Sequence, residues 1–397
     1  MDRKAVSNGD DCPHLRARLQ DRIRRSPHQR ITFAEYMEIV LYDAEFGYYS
    51  GSQREIGKFG DYFTSSSLGA DFAQLLARQF VQMWEILDRP DPFWIIEMGA
   101  GTGQVAIDLL EELENNYAAC FASLRYGIVE KAGGLRALQQ ERLSSWKDKG
   151  APIEWYEWEQ LPDIHGCLFS NELVDAFPVH QVVRSSEELQ EVYVGLDNRD
   201  NFIEILAELS TQKLQEYFEN LEINLLAPVY TEGYRTEVNL AALDWIKEVA
   251  FKLKRGYLVT IDYGYSARRY YQPTRYTGTL QCYIRHHRHD NPYVNIGYQD
   301  ITARVDFTTL ENEGKRWGLG LLGLTQQALF LMSLGLGDRL AQLSHSSLPI
   351  TQLLQRRDAL HQLIDPLGLG GFQVLVQGKG LTEDEKQQIL QGLKQFG

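Results

Sequence analysis

The sequence predicts an α/β protein: a doubly wound parallel sheet with an N-terminal helical cap before it and lid or substrate segments inserted into it. From Phe93 onward, short apolar runs alternate with stretches of helical periodicity. The first run passes straight into a glycine-rich turn, WIIEMGAGTG at 94–103, and then into a helix. Acids close several of the runs, at the strand ends where such sheets bind ligands.

Taken in order, residues 1–30 read as a flexible tail. They are rich in arginine (Arg3, Arg16, Arg18, Arg22, Arg24, Arg25, Arg30) but diluted by Asp2, Asp10, Asp11 and Asp21. The acids favour a cytoplasmic tail; the alternative is a transit peptide leading to the mitochondrial matrix. Residues 31–90 form the cap. Thr32 and Glu35 make a capping box ahead of Phe33, Tyr36, Met37 and Val40 on one helical face. After a glycine-punctuated loop, Phe72, Leu75, Leu76, Gln79, Phe80, Met83, Trp84 and Leu87 define a second amphipathic helix, stopped by Pro90 and Pro92.

The sheet domain occupies 91–397. Its strands are expected at Phe93 to Met98, Tyr126 to Val129, Ile153 to Tyr156, Cys167 to Phe169 and Tyr257 to Ile261. Val105, Leu109 and Leu113 mark a helix after the first, and Val238, Ala242, Trp245, Ile246, Val249 and Leu253 one before the last. Two segments break the alternation: about 182–230, with a strand pair at Glu191 to Val194 and Phe202 to Ile205, and about 266–307, dense in Tyr, Arg, His and Gly. Long insertions of this kind are usually lids or substrate loops.

Composition narrows the function. With 397 residues and 44% hydrophobic content the chain buries a sizeable core, and its net charge of −14 opposes non-specific nucleic-acid binding. No apolar run approaches a membrane span. Cys12, Cys120, Cys167 and Cys282 show no paired spacing, which suits a reducing compartment.

Gly99, Gly101 and Gly103 let the backbone turn tightly and approach a ligand. A nicotinamide fingerprint would need a glycine where Gln104 stands, and the lysine of a phosphate loop is absent. Glu97, just before the glycines, would repel a pyrophosphate and attract an ammonium or sulfonium, which favours S-adenosylmethionine. Glu130, ending the second strand, suits a ribose diol; the bland alternative is an acid marking where solvent begins. One of Tyr156, Glu157 or Trp158 could flank an adenine, though aromatic residues this close to a strand end are more often ordinary packing.

At the fourth strand's end, Asn171, Glu172 and Asp175 offer two carboxylates that could hold a guanidinium and localise its charge; alternatively Asn171 and Glu172 are a helix cap and first-turn acid. Asp262 adds an acid on the same rim. No metal site is expected: Arg285 and Arg288 among His286, His287 and His289 would repel a divalent ion.

These residues make the chain similar to the MidA family of class I S-adenosylmethionine-dependent methyltransferases. The resemblance rests on LYDAEFGYYS, GKFGDYFTSSS, IIEMGAGTG, IVEKAGGLRALQQERL, SNELVDAFPVHQ, IDYGY and GTLQCYIRHHRHDNPYVNIGYQDITARVDF, and it runs from about Ile31 to the end. It implies a Rossmann-like methyltransferase sheet with Glu97, Gly99, Gly101, Gly103 and Glu130 at the cofactor, and Asn171, Glu172 and Asp175 at the active site. It also implies that Asp61 and Thr64 lie on a loop closing over the cofactor, with Asp300 and Asp306 as substrate contacts. The chain departs from the family's Thr-x-Pro-Glu at Ser66 and Ser67, and from a frequent histidine at Arg304.

The family's mitochondrial members assist respiratory complex I assembly and methylate an arginine on a subunit of it. The expected function is therefore S-adenosylmethionine-dependent methylation of a protein arginine. The rivals are an assembly chaperone keeping the fold without turnover and a small-molecule methyltransferase. A protein substrate, no nucleic acid and no membrane insertion are expected; the motifs do not speak to oligomeric state.

Overall fold

The computed structural model describes residues 11–50, 68–285, 287–343 and 349–394. Its main sheet has seven strands: β1 Phe93–Met98, β2 Leu124–Val129, β3 Ile153–Tyr156, β4 Ile164–Asn171, β5 Leu253–Asp262, β6 Gly320–Gln326 and β7 Gln373–Lys379. The spatial order is β6-β7-β5-β4-β1-β2-β3. Strands β1 to β5 are parallel to their neighbours, whereas β7 runs antiparallel to β5 and β6 antiparallel to β7. The final antiparallel pair was outside the sequence expectation, which ended its strands at Ile261.

The sheet is buried on both faces, which is why its strands read as continuous apolar runs rather than alternating ones. Phe93, Ile95, Tyr126, Ile128, Phe169, Val259 and Ile261 meet the helices of one layer, while Ile96, Met98, Leu168 and Leu258 meet the other. The relevant helices are α1 Pro13–Arg25, α2 Phe33–Tyr42, α3 Asp71–Ile86, α4 Gln104–Asn116, α5 Gly133–Arg142, α6 Leu240–Lys252 and α7 Phe307–Arg316. Helices α3 and α4 cover the first face and α6 the second. Because β2 and β3 lie on one side of β1 and β4 and β5 on the other, the carboxyl ends of β1 and β4 form the switch point. Their last paired residues are Met98 and Ser170.

The N-terminal segment differs from the expected flexible tail. Residues 13–25 form α1, which buries Leu15, Leu19 and Ile23 in a cluster with Phe33, Tyr36 and Met37 of α2. Arg16, Arg18, Arg22 and Arg24 pair with Asp11, Asp43, Glu35 and Asp200. The leucine and isoleucine spacing of four is the stripe that seats α1, and the arginines cover its outer face.

The segment around 182–230 is not a free lid. His180–Ser185, Glu188–Leu196, Phe202–Ala207 and Arg235–Val238 join Ile31–Thr32 in a second sheet of five strands. The expected strand pair is present, with Val194 opposite Glu204, and the cap enters the same sheet through Ile31 opposite Val194. Within 266–307, Gln281–Ile284 pairs with His287–His289 and Asp300–Thr302 in a three-stranded sheet. Among the described residues no helix is long and apolar enough to cross a membrane.

Candidate functional site

The loop after β1 is shaped by its glycines. Gly99, Gly101 and Gly103 have φ of +71°, +53° and +75°, in the left-handed region that favours glycine. A Cβ on Gly99 would lie 2.6 Å from a Leu173 methyl, so protein fills that side. A Cβ on Gly101 would meet no atom of the described residues within 4 Å, so among them this glycine faces open space at the switch point. That is a cradle in which a ligand can touch backbone.

Glu130 anchors the neighbouring wall. One carboxylate oxygen accepts from the Ala132 amide at 2.9 Å and the other from the Gln139 side chain at 3.0 Å. Gln139 also donates to the carbonyl of Gly101 at 2.8 Å and accepts from the Trp155 indole at 3.0 Å. Arg142, one turn further along α5, donates to the carbonyl of Thr102 at 2.8 Å. Helix α5 thus holds the glycine loop and Glu130 in one network. Sequence reasoning passed over Gln139; the signal was an amide four residues after Leu135 on the buried face of that helix.

Glu97 lies beneath the loop, 3% exposed, and accepts a 2.6 Å hydrogen bond from the Tyr126 hydroxyl. Burial pushes its carboxyl up to about 7, against the lowering effect of that hydrogen bond. A cation placed nearby would favour its ionised form. Burial also raises Glu130, which its amide hydrogen bonds oppose.

The end of β4 collects acids. Glu172 sits at φ +55°, a strained conformation for a non-glycine residue, and its carboxylate accepts from the Asn171 amide at 3.1 Å. The helix-cap reading of Asn171 is not observed. Asp262 at the end of β5 takes that role, accepting from the Val174 and Asp175 amides at 2.9 and 3.3 Å. Burial pushes Asp262 up to about 7, and Glu172 adds to the rise. Asp175 is 5% exposed, and burial together with Asp262 and Asp300 holds its carboxyl well above the usual range. Among the described residues, Ser170 Oγ, Asn171 Oδ1 and Asp175 Oδ1 are buried with no hydrogen-bond partner. Each is a buried polar atom with unused hydrogen-bonding capacity.

The cap closes this edge. Tyr49 donates to Asp300 at 2.8 Å, and Tyr42 donates to the carbonyl of Ala176 at 3.0 Å. Lys131, next to Glu130, pairs with Glu38 of α2 at 2.5 Å and lies over the Tyr42 ring. The backbone of Ser50 packs against Gly134, where an added Cβ would lie 2.5 Å from its carbonyl oxygen. Asp61 and Thr64 lie outside the described residues, as does His286.

Other expected site residues are used elsewhere. Asp306 does not join the acids: it caps α7 through Thr308 and Thr309 and accepts from Tyr217 at 3.0 Å, so its oxygens are committed to structure. Tyr156 packs edge-on to Trp94, and Trp158 donates to Glu248 at 3.2 Å. Both rings are half-buried. His287 and His289 lie on a strand, and no group among the described residues is placed to hold a metal.

A family model described as an S-adenosyl-L-methionine-dependent methyltransferase matches residues 75–325. The chain belongs to this methyltransferase family. A crystal structure of a family relative from Burkholderia thailandensis, bound to S-adenosyl-homocysteine, is 32% identical, covers 96% of this chain and 94% of its own, and has a TM-score of 0.82. The Drosophila melanogaster protein named "Protein arginine methyltransferase NDUFAF7 homolog, mitochondrial" is 27% identical over 362 residues, covering 86% of this chain and 79% of its own. The Homo sapiens counterpart is 27% identical over 363 residues, covering 83% and 76%.

S-adenosylmethionine is therefore the cofactor of this methyltransferase, and the residues at the switch point fit it. The open side of Gly101 accepts a ligand against backbone, Glu130 presents a carboxylate beside it, and phosphate-binding lysine is absent from the loop.

Proposed function

We propose that this methyltransferase modifies an arginine of a partner protein, with Asn171, Glu172, Asp175 and Asp300 receiving the guanidinium. The observation that carries this reading is the buried carboxyl of Asp175, which stands beside Asp262 and Asp300 and whose Oδ1 has no hydrogen-bond partner among the described residues. An arginine side chain brings a positive charge to these acids and a donor to that oxygen. The names of the animal relatives, which contain "protein arginine methyltransferase", support the same substrate class.

Bound S-adenosylmethionine supplies a methyl group on a sulfonium cation. Gly99, Gly101, Gly103, Glu97 and Glu130 would hold it, with Asp61 and Thr64 as further proposed contacts. Entry of a guanidinium favours the ionised form of Asp175, so that the acid and Glu172 orient the cation and hold its charge away from one nitrogen. The nitrogen that gains the methyl loses a proton, and the ionised carboxylate of Asp175 is suited to take it up. Positioning in a buried, water-poor site does the rest.

The family resemblance supports a respiratory-complex subunit as the acceptor. The "mitochondrial" in the animal relatives' names supports the matrix alternative over the cytoplasmic expectation. The arginines of α1 give it no support, since they are paired within the fold.

The test is incubation of purified protein with a cell extract and radiolabelled S-adenosylmethionine, followed by identification of the labelled species. Label on arginine of a protein is the expected result. Cofactor binding without any transfer would replace the reading with that of an assembly chaperone, and label confined to small molecules would replace the acceptor.

A further inference from the structure

Beside the acidic cluster stands a cationic one. The guanidinium of Arg304 lies 5.5 Å from the centroid of the Tyr263 ring and 4.9 Å from that of Tyr265. Arg269 and Arg275 lie over the same Tyr265 ring at 4.6 and 4.3 Å. Three like charges around one tyrosine repel one another, and among the described residues none of the three is within ion-pair distance of a carboxylate. Arg275 is held in place by donating to the backbone carbonyls of Arg269 and Tyr270 at 2.6 and 3.1 Å. On a chain with net charge −14 and 54 acidic residues, a trio without acidic partners among the described residues is a local reversal of sign.

Its place relative to the reaction is set by Tyr263. The Tyr263 side chain hydrogen-bonds Asp175, and its hydroxyl donates to Thr302 at 2.6 Å, while its ring carries Arg304. One tyrosine therefore separates the acid proposed to receive the guanidinium from the first of the three arginines. Arg288, exposed on the neighbouring strand, extends the cationic side opposite Tyr283, which is itself paired across the sheet with Asp300.

We propose that Arg269, Arg275 and Arg304 form a docking site for carboxylate side chains of the acceptor polypeptide, flanking the arginine that enters the acidic cluster. The inference rests on the arginine-methylation reading and adds the character of the substrate segment: a basic target residue between acidic neighbours. The complementary arrangement, acids inside and arginines at the rim, attracts such a segment and repels one whose target arginine lies in a basic run.

The test uses the full chain saturated with S-adenosyl-homocysteine and fluorescent peptides with one central arginine flanked by glutamates, glutamines or lysines. Anisotropy is expected to show the glutamate peptide binding about five-fold more tightly than the glutamine peptide, the lysine peptide weakest, and the gap narrowing with salt. In a Arg269→Gln, Arg275→Gln double variant, and separately in Arg304→Gln, the gap should close while calorimetric S-adenosyl-homocysteine affinity, which reports the fold, stays at the wild-type level. Equal binding of the three peptides by wild type, or a gap unchanged in both variants, overturns the proposal. So does displacement of the glutamate peptide by a short single-stranded oligonucleotide at lower concentration than by unlabelled peptide, which assigns the trio to nucleic acid. A glutamate preference that persists when the central arginine is replaced by lysine, with no methyl transfer to any peptide, sinks arginine methylation and leaves the docking site standing. Methyl transfer without a flank preference does the reverse.

Discussion

Gln139 joins Glu130 to Gly101: its side-chain amide donates to the Glu130 carboxylate at 3.0 Å and to the Gly101 carbonyl at 2.8 Å. Two parts of the cofactor cradle, from the ends of different strands, are thus held by one buried side chain on α5. Replacing it with leucine keeps the volume and leaves Glu130, Gly101 and Trp155 each short of a partner. Gln139→Leu is expected to lower folding stability by about 1–3 kcal/mol and cofactor affinity by roughly ten-fold. Calorimetry with S-adenosyl-homocysteine checks this, and unchanged affinity would show that the network does not support the cradle.

Gly99 and Gly101 should respond differently to a side chain. At Gly101 an added Cβ meets no atom of the described residues, so Gly101→Val costs mainly the left-handed backbone strain, about 1–2 kcal/mol. Its cofactor binding should nevertheless be lost, because the side chain occupies the open face. At Gly99 the Cβ makes a Leu173 methyl swing aside and the left-handed backbone adds strain, so Gly99→Ala should show its damage in the melting temperature first. Comparing melts with cofactor titrations for the two variants separates the effects; retained binding in Gly101→Val would move the cofactor elsewhere.

The buried carboxyl of Glu97 makes stability and binding depend on pH in opposite ways. Its folded pKa, raised from 4.5 to about 7, means that between those values the folded chain keeps a proton that the unfolded chain has lost. Folding stability from this group is fully present below 4.5 and falls as pH rises toward 7, by about 3 kcal/mol in all. Glu97→Gln should flatten that slope in urea melts run across the window. Binding of the cationic cofactor should instead favour the ionised carboxylate and release a proton near neutral pH. Calorimetry in buffers of different ionisation enthalpy measures it, and no release would show that Glu97 does not face the cation.

Asp175 should divide binding from turnover. Asp175→Asn removes the charge while keeping shape, relieving repulsion with Asp262 and Asp300. Stability and cofactor affinity are expected to stay at or above wild type, while methyl transfer to protein arginine falls at least about 30-fold, the effect of losing one partner of a buried charge pair. Near-wild-type transfer in radiolabelling assays would remove Asp175 from the guanidinium site.

Much of this was readable along the chain because it depends on local pattern. The β1 run, the left-handed turns that only Gly99, Gly101 and Gly103 adopt easily, the helix that follows, and the acids Glu130 and Asp175 at strand ends all follow from spacing and residue type. The stripe of Leu15, Leu19 and Ile23 was equally local, but the arginines around it drew attention to charge, and only their pairing with Asp43, Glu35 and Asp200 shows them as the outer face of a packed helix.

Tertiary structure alone decided which acids do what. Asp175, Asp262 and Asp306 are each a buried aspartate flanked by apolar residues, yet Asp262 caps the turn before Asp175, Asp306 caps α7, and Asp175 keeps an oxygen unpartnered among the described residues. Whether a carboxylate is structural or available depends on which amides and hydroxyls reach it from elsewhere in the chain, and one-dimensional spacing does not encode those approaches. The same reason hid Gln139 and Tyr126, and brought Tyr49 from the cap to Asp300 across 251 residues of sequence. The amino-acid order determined the five parallel strands, the loop and the family; the burial and partners created by folding determined which side chains remain free to meet a substrate.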